Sequence, residues 1–392
     1  MLRSLYSGIS GLRSHQTMLD VIANNIANVN TVGFKASATQ FEDTLSQLTK
    51  GASSPQATTG GTNPAQVGLG VKVASITTNF AQGSTQSTGR ALDVMISGDG
   101  FFVTSNGGQT AYTRAGALDF DAQGRLVTPD GSLVQGWPAV DGVIDPGAPV
   151  SPVTLPKNAV SPAIATTTAK VGGNLPGDAA TGTVLTRDTT VFDASGNATQ
   201  LSLTFTKTAA GWDASYDDGT ATPPTTSMAF TDGKLTSGTT LTLTTPAIAI
   251  DLSTATGYAG LTTASIIDQN GRDAGTLQTF TLSPDGTLVG SFSNGASQAI
   301  GQVALATFVN PGGLQKAGSS SYTATFNSGA AQLGVAGQSG MGYLSSGALE
   351  MSNVDLSQEF TNLIVAQRGF QANARIITTS DQVLQELTNL KQ

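Results

Sequence analysis

Residues 1–30, MLRSLYSGISGLRSHQTMLDVIANNIANVN, carry apolar side chains that recur at alternating steps of three and four. This spacing places them on one side of an α-helix and approaches the heptad pattern of a coiled-coil seam. Gln16 and Ala23 occupy weak positions of the pattern. The strong positions are Leu2, Leu5, Ile9, Leu12, Leu19, Ile26 and Val29. The sequence therefore predicts an amphipathic helix at this end of the chain.

The other end of the chain, from Asp355 to Leu390, repeats the pattern in the same phase. Its apolar positions are Leu356, Phe360, Leu363, Phe370, Ile377 and Leu384, with Gln367, Ala374 and Asp381 between them. A helix with one apolar stripe needs another surface to cover it. We predict that residues 1–30 and 357–392 form a coiled-coil-like pair of helices.

The two stripes also predict contacts between copies of the chain. We expect the termini to order fully only when several copies share the stripes, so that folding is coupled to assembly. The alternative is an ordinary core within one chain, because a helix pair in a single subunit would show the same stripes. The residues that we assign to the assembly interface are Leu5, Ile9, Leu12, Leu19, Ile26, Phe360, Leu363, Phe370, Ile377 and Leu384.

Composition excludes several classes of function. Only 11% of the residues are charged, against about 25% in a typical globular chain, which favours neutral surfaces that can lie against copies of themselves. The net charge of -8, without a basic cluster, argues against nucleic-acid binding. There is no cysteine, so disulfides and thiolate metal sites are excluded. No apolar run is long enough to predict insertion into a membrane.

Between the helices the sequence predicts a linker and two nested antiparallel β domains. Residues 31–74 are the linker, in which the small, polar stretch 49–66 is either a flexible connector or an ordered loop clamped by neighbours. Apolar alternation and Asn-Gly or Asp-Gly turns then predict an inner β domain from residues 75–145 and 275–356. Residues 146–274 form an outer β domain inserted in it. The predicted fold class is mainly β with terminal α-helices.

Catalysis has few candidate residues, and we predict neither an enzyme nor a cofactor. His15 is the single histidine, which leaves little for a catalytic triad or a multi-histidine metal site. Asp119, Asp121 and Asp130 echo the spacing of a calcium-binding loop. The flanking residues alternate as strands, however, so we interpret these acids as belonging to a hairpin turn.

Four stretches carry a resemblance to a known family. They are Ser7 to Lys35 (SGISGLRSHQTMLDVIANNIANVNTVGFK), Ala91 to Phe102 (ALDVMISGDGFF), Tyr112 to Gly131 (YTRAGALDFDAQGRLVTPDG) and Ser345 to Lys391. They resemble signatures of the rod and hook axial proteins of the bacterial flagellum. Gly301 to Thr325 resembles the hook form, as does the position of the insert at 146–274.

The resemblance implies a structural subunit that polymerises into the curved tube of the hook, outside the cell, between rod and filament. It implies export through the flagellar type III apparatus without a cleaved signal. The terminal helices would line the channel, the linker would brace neighbouring subunits, and the β domains would form outer layers. The implied partners are other copies of the chain, the distal rod protein, the hook cap, the hook-filament junction proteins and the export apparatus.

Two alternatives remain open at this point. One is a distal rod subunit of the same family, which would form straight rather than bent polymers. The other is a secreted β-domain adhesin or glycan-binding module that uses exposed Trp137, Trp212 or Tyr216.

Overall fold

The computed structural model of the chain describes residues 2–56, 58–140, 142–156, 160–217, 225–243 and 247–389. Two long helices, α1 (Leu2–Ala27) and α2 (Leu356–Asn389), flank a chain of β-strands. Helix α2 begins after Asp355, whose Oδ1 accepts hydrogen bonds from the backbone N–H groups of Ser357 and Gln358 (2.8 and 3.2 Å), as an N-cap does. The predicted class, mainly β with terminal helices, is confirmed. Met1 and residues 390–392 of the predicted helical domain lie outside the described residues.

The strands follow one another closely along the chain. The first half contains β1 (Ser37–Asp43), β2 (Ser46–Lys50), β3 (Ala65–Gly68), β4 (Val71–Thr78), β5 (Thr85–Ser87), β6 (Val94–Ser97), β7 (Phe101–Asn106), β8 (Gln109–Thr113), β9 (Asp119–Phe120), β10 (Leu126–Val127), β11 (Leu133–Val140), β12 (Val143–Ile144), β13 (Ser151–Pro152), β14 (Val160–Ser161), β15 (Thr168–Asn174), β16 (Val184–Phe192) and β17 (Ala198–Lys207).

The second half contains β18 (Trp212–Asp217), β19 (Thr225–Thr231), β20 (Lys234–Ser237), β21 (Thr240–Thr242), β22 (Ala249–Thr256), β23 (Ser265–Gln269), β24 (Gly275–Leu282), β25 (Thr287–Phe292), β26 (Ser297–Val303), β27 (Leu305–Thr307), a short 3-10 helix (Pro311–Gly313), β28 (Gln315–Gly318), β29 (Ser321–Thr323), β30 (Gln332–Gly334), β31 (Tyr343–Ser346) and β32 (Ala348–Glu350).

The predicted linker is a β-hairpin arm, which we define as residues 37–78. Strand β1 pairs with β4 and strand β2 pairs with β3, both antiparallel. Every residue of β2 and β3 is exposed, so this part of the arm is held by its own backbone hydrogen bonds. Within residues 49–66, predicted to be either a flexible connector or an ordered loop clamped by neighbours, Ser53 pairs with Thr62 and Gln56 pairs with Thr59. The described part is therefore an ordered hairpin, and its clamping by neighbours stays a prediction.

Two compact units divide the chain. The first contains Met1–Leu155, Thr281–Val289 and Ala299–Gln392, and the second contains Pro156–Phe280 and Gly290–Gln298. The predicted insert at 146–274 therefore begins too early. Residues 146–155 stay with the first unit because Pro152 and Ser151 of β13 pair with Gln135 and Gly136 of β11. The predicted return at residue 275 is also early, because the second unit continues to Phe280.

The first unit is built on a sheet in which β26, β11, β7, β8, β29 and β28 are neighbours in that order. Strands β7 and β8 form the hairpin that the sequence predicted near Asn106-Gly107, with Asn106 paired to Gln109. Aromatic side chains dominate the buried cluster on this sheet, among them Phe101, Trp137 and Tyr322. Their rings meet edge to face, as for Phe101 and Tyr322 at 6.0 Å between centroids. Aromatic pairs favour this arrangement.

The second unit has its own sheet and its own core. Its strands lie in the order β16, β17, β18, β19, β20, β22, β15, β23. The alternating residues Leu201, Leu203 and Phe205 of β17 point into that core, as the sequence predicted. The predicted purely antiparallel pairing is wrong at one place, because β15 and β22 pair parallel. A parallel pair needs a long connection, and residues 175–248 supply it.

Candidate assembly interface

Helices α1 and α2 pack against each other in opposite directions. A Cβ atom added at Gly8 would lie 3.4 Å from Ile376 Cγ2, and one added at Gly11 would lie 2.8 Å from Asn373 Oδ1. At the other end of α1, Asn25 Nδ2 donates a hydrogen bond to Glu359 Oε1 (3.1 Å). As the residue number rises along α1, the number of its neighbour on α2 falls by the same amount. The two helices therefore form an antiparallel pair with a constant register.

Small side chains form the line along which the two helices touch. Gly8 and Gly11 stand on α1, and Gly369 and Ala366 stand on α2, where Ala366 is completely buried. Glycine inside a helix costs about 1 kcal/mol relative to alanine. Here the absence of side chains at the glycines allows the two helices to approach each other closely. Among the side chains of α1 that the structure describes, Ile22 is the one large apolar side chain in the buried core.

Most of the predicted interface residues lie beside this contact line, while Ile377 also touches α1, since its Cγ1 would lie 3.6 Å from a Cβ atom at Gly8. Ile9, Leu12 and Ile26 each follow a contact residue of α1 by one position, and Phe360, Phe370 and Ile377 do the same on α2. Most of the ten residues are half-buried, while Phe360 remains 51% exposed and Leu384 37% exposed. None of the ten belongs to the fully buried core. Their role in contacts between copies stays a prediction.

Helix geometry puts both predicted stripes on one side of the pair. One residue corresponds to about 100° of rotation around a helix. On each helix the stripe therefore lies one residue step around the helix axis from the contact line. Viewed along the direction of its own chain, this rotation has the same sense on both helices. Because the helices are antiparallel, the two turns bring the stripes to the same face. We call the ten predicted residues together the shared apolar face.

The hairpin arm covers another side of α1. Ser10 Oγ accepts a hydrogen bond from the backbone N–H of Val71 (3.2 Å), and the His15 ring lies edge to face against Phe41, 5.6 Å between centroids. Ser10 lies on the side of α1 opposite the shared apolar face, whereas His15 lies on the contact line with α2, three residues after Leu12 and four before Leu19. The arm therefore packs opposite that face at Ser10 and reaches the contact line at His15. His15, the single histidine, has a packing contact here and its Nδ1 is buried without a described hydrogen-bond partner.

A buried ion cluster fixes the segments that connect the helices to the first unit. Lys35 Nζ lies 2.6 Å from Glu350 Oε1, and Arg114 Nη1 lies 3.3 Å from Glu350 Oε2. All three side chains are at most 3% exposed. Burial lowers the pKa of Lys35, and the hydrogen bond to Glu350 offsets part of that effect. The cluster ties the chain just after α1 to the strand just before α2.

A second polar contact joins the ends of the two helices. Asn25 is buried, and its side chain bonds Glu359 and both backbone groups of Ser37. Burial raises the pKa of Glu359, the hydrogen bond from Asn25 lowers it, and the nearby charge of Asp355 raises it further; the net shift is upward. Sequence reasoning missed Asn25, Lys35, Arg114 and Glu350. For the three charged residues, the one signal in the sequence was that charged residues are rare in this chain.

The other candidate residues take part in local structure. Asp121 accepts hydrogen bonds from Arg125, and Asp130 accepts them from Thr128 and Ser132. These contacts are those of turns, as interpreted from the sequence. Within the described ranges, no group of three or more acidic, histidine or cysteine side chains could hold a metal ion.

The residues proposed for a glycan-binding alternative are not accessible. Trp137 is 2% exposed, and Trp212 and Tyr216 are each 1% exposed. The prediction that they could form an exposed binding surface is wrong, because all three are parts of the two cores. The described helices include none that is long and apolar enough to span a membrane.

Comparisons with known proteins agree with this architecture. Three family models match: "Flagella basal body rod protein" at residues 5–35, "Flagellar hook protein FlgE/F/G D1 domain" at 95–168, and "Flagellar basal body rod FlgEFG protein C-terminal" at 345–390. The chain is 39% identical to the flagellar hook protein FlgE of Borreliella burgdorferi over the whole length of both. The chain belongs to the flagellar hook and rod protein family.

Other relatives extend this result. The hook protein FlgE of Salmonella typhimurium is 39% identical over 99% of this chain and 100% of its own. The basal-body rod protein FlgG of Bacillus subtilis is 37% identical over the whole of both chains. Helicobacter pylori FlgE2 has a similar fold, with a TM-score of 0.50 at 14% identity, covering 68% of this chain and 100% of that one. Members of the family are structural proteins of the flagellum, and most of the relatives compared here are hook proteins.

Proposed function

We propose that this chain is the repeating subunit of a flagellar hook and that copies polymerise through the shared apolar face. The observation that carries the proposal is this face: two apolar stripes lie side by side on the helix pair, mostly beside the intramolecular contact, with Ile377 also approaching Gly8 of α1. Burying such surface against another copy is favourable at about 25 cal/mol per Å². In a monomer the exposed part of this surface stays in contact with water, and this stabilisation is absent.

The contact between copies is heterologous and not mutual. A two-fold contact of the face with itself would stop at a dimer, whereas a tube needs one surface of each copy to bind a different surface of the next. The partner surface on the next copy is therefore a different one. The hairpin arm, with exposed Leu45 and Leu48, braces such neighbours.

Family membership supports the remaining features of the proposal without showing them. The chain is exported through the flagellar type III apparatus without a cleaved signal and works outside the cell. Its partners besides its own copies are the distal rod protein, the hook cap and the hook-filament junction proteins. The β-rich units form outer layers whose weakly charged surfaces slide past each other as the hook bends. The protein has no catalytic role and needs no cofactor.

Electron microscopy of the purified full chain, concentrated with a precipitating salt, tests the proposal. We expect curved tubes, whereas straight tubes would favour the alternative of a distal rod subunit. Ile9→Asp and Phe360→Asp place a charge on the shared apolar face and should abolish tubes. Ala372→Asp places the same charge on an exposed part of α2 away from that face and serves as the matched control.

Melting of the β units separates assembly from folding. Both should melt in Ile9→Asp as in the unmodified chain, because position 9 lies outside their cores. Loss of tubes together with an earlier melting of the β units would instead assign position 9 to the folded core of one chain.

The coupling of helix order to assembly has its own test. Protection of amides 2 to 28 from hydrogen exchange in a verified monomer would contradict it.

A further inference from the structure

Arg114 is a buried cation that the ion cluster only partly satisfies. Its side chain is 3% exposed, and one of its nitrogens, Nη1, bonds Glu350. Nε is fully buried and has no hydrogen-bond partner among the described residues. A guanidinium carries five N–H donors, and leaving a buried donor unpaired is unfavourable. The unpaired Nε shows that Glu350 alone does not satisfy Arg114.

The charges around Arg114 do not balance. Lys35 and Arg114 contribute two buried cations, while Glu350 is the one buried anion between them. Glu350 already accepts from Lys35 Nζ and from the backbone N–H of Gly83 (2.9 Å). Tyr322 does not supply the missing charge, because burial raises its pKa to about 12. An uncompensated buried charge is strongly unfavourable.

A cavity of about 320 Å³ lies beside the guanidinium. Phe80, Phe101 and Phe308 line it with aromatic rings, and the Arg114 guanidinium stands over the Phe101 ring, 5.4 Å from its centroid. The cavity wall also includes Ser339 and Gly340, which are exposed. Solvent can thus reach a space that has a cation on one wall and apolar rings on the others.

We propose that this cavity binds a carboxylate, with its oxygens on the Arg114 guanidinium and a short apolar stem against the three phenylalanine rings. Arginine matches the planar carboxylate geometry through paired N–H donors. Asp99 also lines the cavity, but it is exposed and forms no ion pair with Arg114. The ligand supplies the negative charge that the cluster lacks.

The bound carboxylate can come from two sources. One is a free short-chain carboxylate from solution, and the other is an aspartate or glutamate side chain of a second copy, in a chain whose net charge is -8. Binding of the free anion can be measured on the monomer and does not rest on the proposed assembly. The second source does rest on it.

Calorimetric melting of the full-length monomer tests binding. Sodium butyrate is added at constant ionic strength, and butyramide, its neutral analogue, is the control. We expect butyrate to raise the melting midpoint of the first unit by about 3 °C at ten times its dissociation constant, and butyramide to leave it unchanged. Equal effects of the two compounds would overturn the proposal, and would mean that Lys35 is uncharged or that water satisfies Arg114.

A pair of variants at Ser339 locates the binding. Ser339 lines the cavity and has a φ of 51°, a conformation that Asp and Asn tolerate well. Ser339→Asp provides a carboxylate within the protein, so its melting midpoint should rise without ligand and butyrate should have no further effect. Ser339→Asn has the same shape without the charge and should keep the response. A full butyrate response in Ser339→Asp would overturn the proposed location.

Polymerisation in the presence of butyrate distinguishes the two sources. If an acidic side chain of a second copy occupies the cavity, butyrate should delay tube formation and butyramide should not. If the natural ligand is a free anion, butyrate should leave tube formation unchanged while still raising the melting midpoint. Failure of tube formation under all conditions would contradict the proposed function, but not the binding measured on the monomer.

Discussion

The imidazole ring of His15 lies directly on the backbone of Gly369. A Cβ atom at position 369 would come within 2.5 Å of His15 Cε1 and 2.6 Å of Nε2. On another side the ring contacts Phe41 of the hairpin arm, so it has little room to move. The absence of a side chain at position 369 therefore sets the distance between α1 and α2 at this point.

Gly369→Ala should destabilise the helix pair although alanine is the better helix former. The gain in helix propensity is about 1 kcal/mol, and overpacking costs about 1–3 kcal/mol. Urea unfolding followed by helical circular dichroism measures the difference. Gly8→Ala is the matched control, because its Cβ would lie at an acceptable 3.4 Å from Ile376 and the gain should prevail. Equal stabilisation by both substitutions would contradict this account of the packing.

Glu350→Gln should be among the most destabilising single substitutions in the first unit. It leaves Lys35 and Arg114 buried without their anion, and breaking such a pair costs about 3–5 kcal/mol. Glu42→Gln removes the partner of Lys72 in an exposed pair, with side chains 47% and 62% exposed, and should cost less than about 1 kcal/mol. Denaturant unfolding of both variants provides the comparison. A similar small cost for each would mean that the buried cluster is not charged.

The stability of the helix pair should depend on the ionisation of Glu359. Burial raises the pKa of this carboxyl in the folded state, so the folded protein holds its proton more tightly than the unfolded chain does. The corresponding contribution to stability is fully present below the ordinary pKa near 4.5 and is lost as the pH rises through the raised value. Glu359→Gln can keep the hydrogen bond from Asn25 and should make this part of the pH profile flat. An unchanged pH profile in Glu359→Gln would assign the dependence to another group.

The end of the hairpin arm should be the first site of proteolysis in the monomer. Its strands β2 and β3 are exposed at every residue and have no core of their own to resist local opening. If the arm braces neighbouring copies, cleavage between residues 50 and 65 should be much slower in tubes than in the monomer. Mass spectrometry of the fragments gives both rates. Equal rates would place the end of the arm on the free surface of the polymer.

Sequence patterns predicted the helices well but could not identify the contact between them. The period of Leu5, Ile9 and Leu12 indicates a helix and an apolar stripe, whichever surface covers that stripe. The actual contact combines glycine and alanine with polar side chains such as His15, Asn25 and Asn373, which leave little hydropathy pattern in the sequence. The contact was therefore displaced by one residue from the predicted position.

The hairpin arm and the buried charges were missed for different physical reasons. Strands β2 and β3 are exposed on both faces, so they have no apolar alternation that could predict them. Lys35 and Glu350 are 315 positions apart, and a pairing over that distance leaves no local signal. The hairpin of β7 and β8, by contrast, was predictable because its turn and its buried alternation are local.

The same separation between Lys35 and Glu350 has a consequence for the timing of folding. A chain grows from its amino terminus, so α1 and Lys35 exist long before their partners. Neither the ion cluster nor the helix pair can form until synthesis has passed residue 350 and most of α2. Contacts between such distant segments form slowly. A nascent chain therefore keeps its first helix without a partner until nearly the last residues are added.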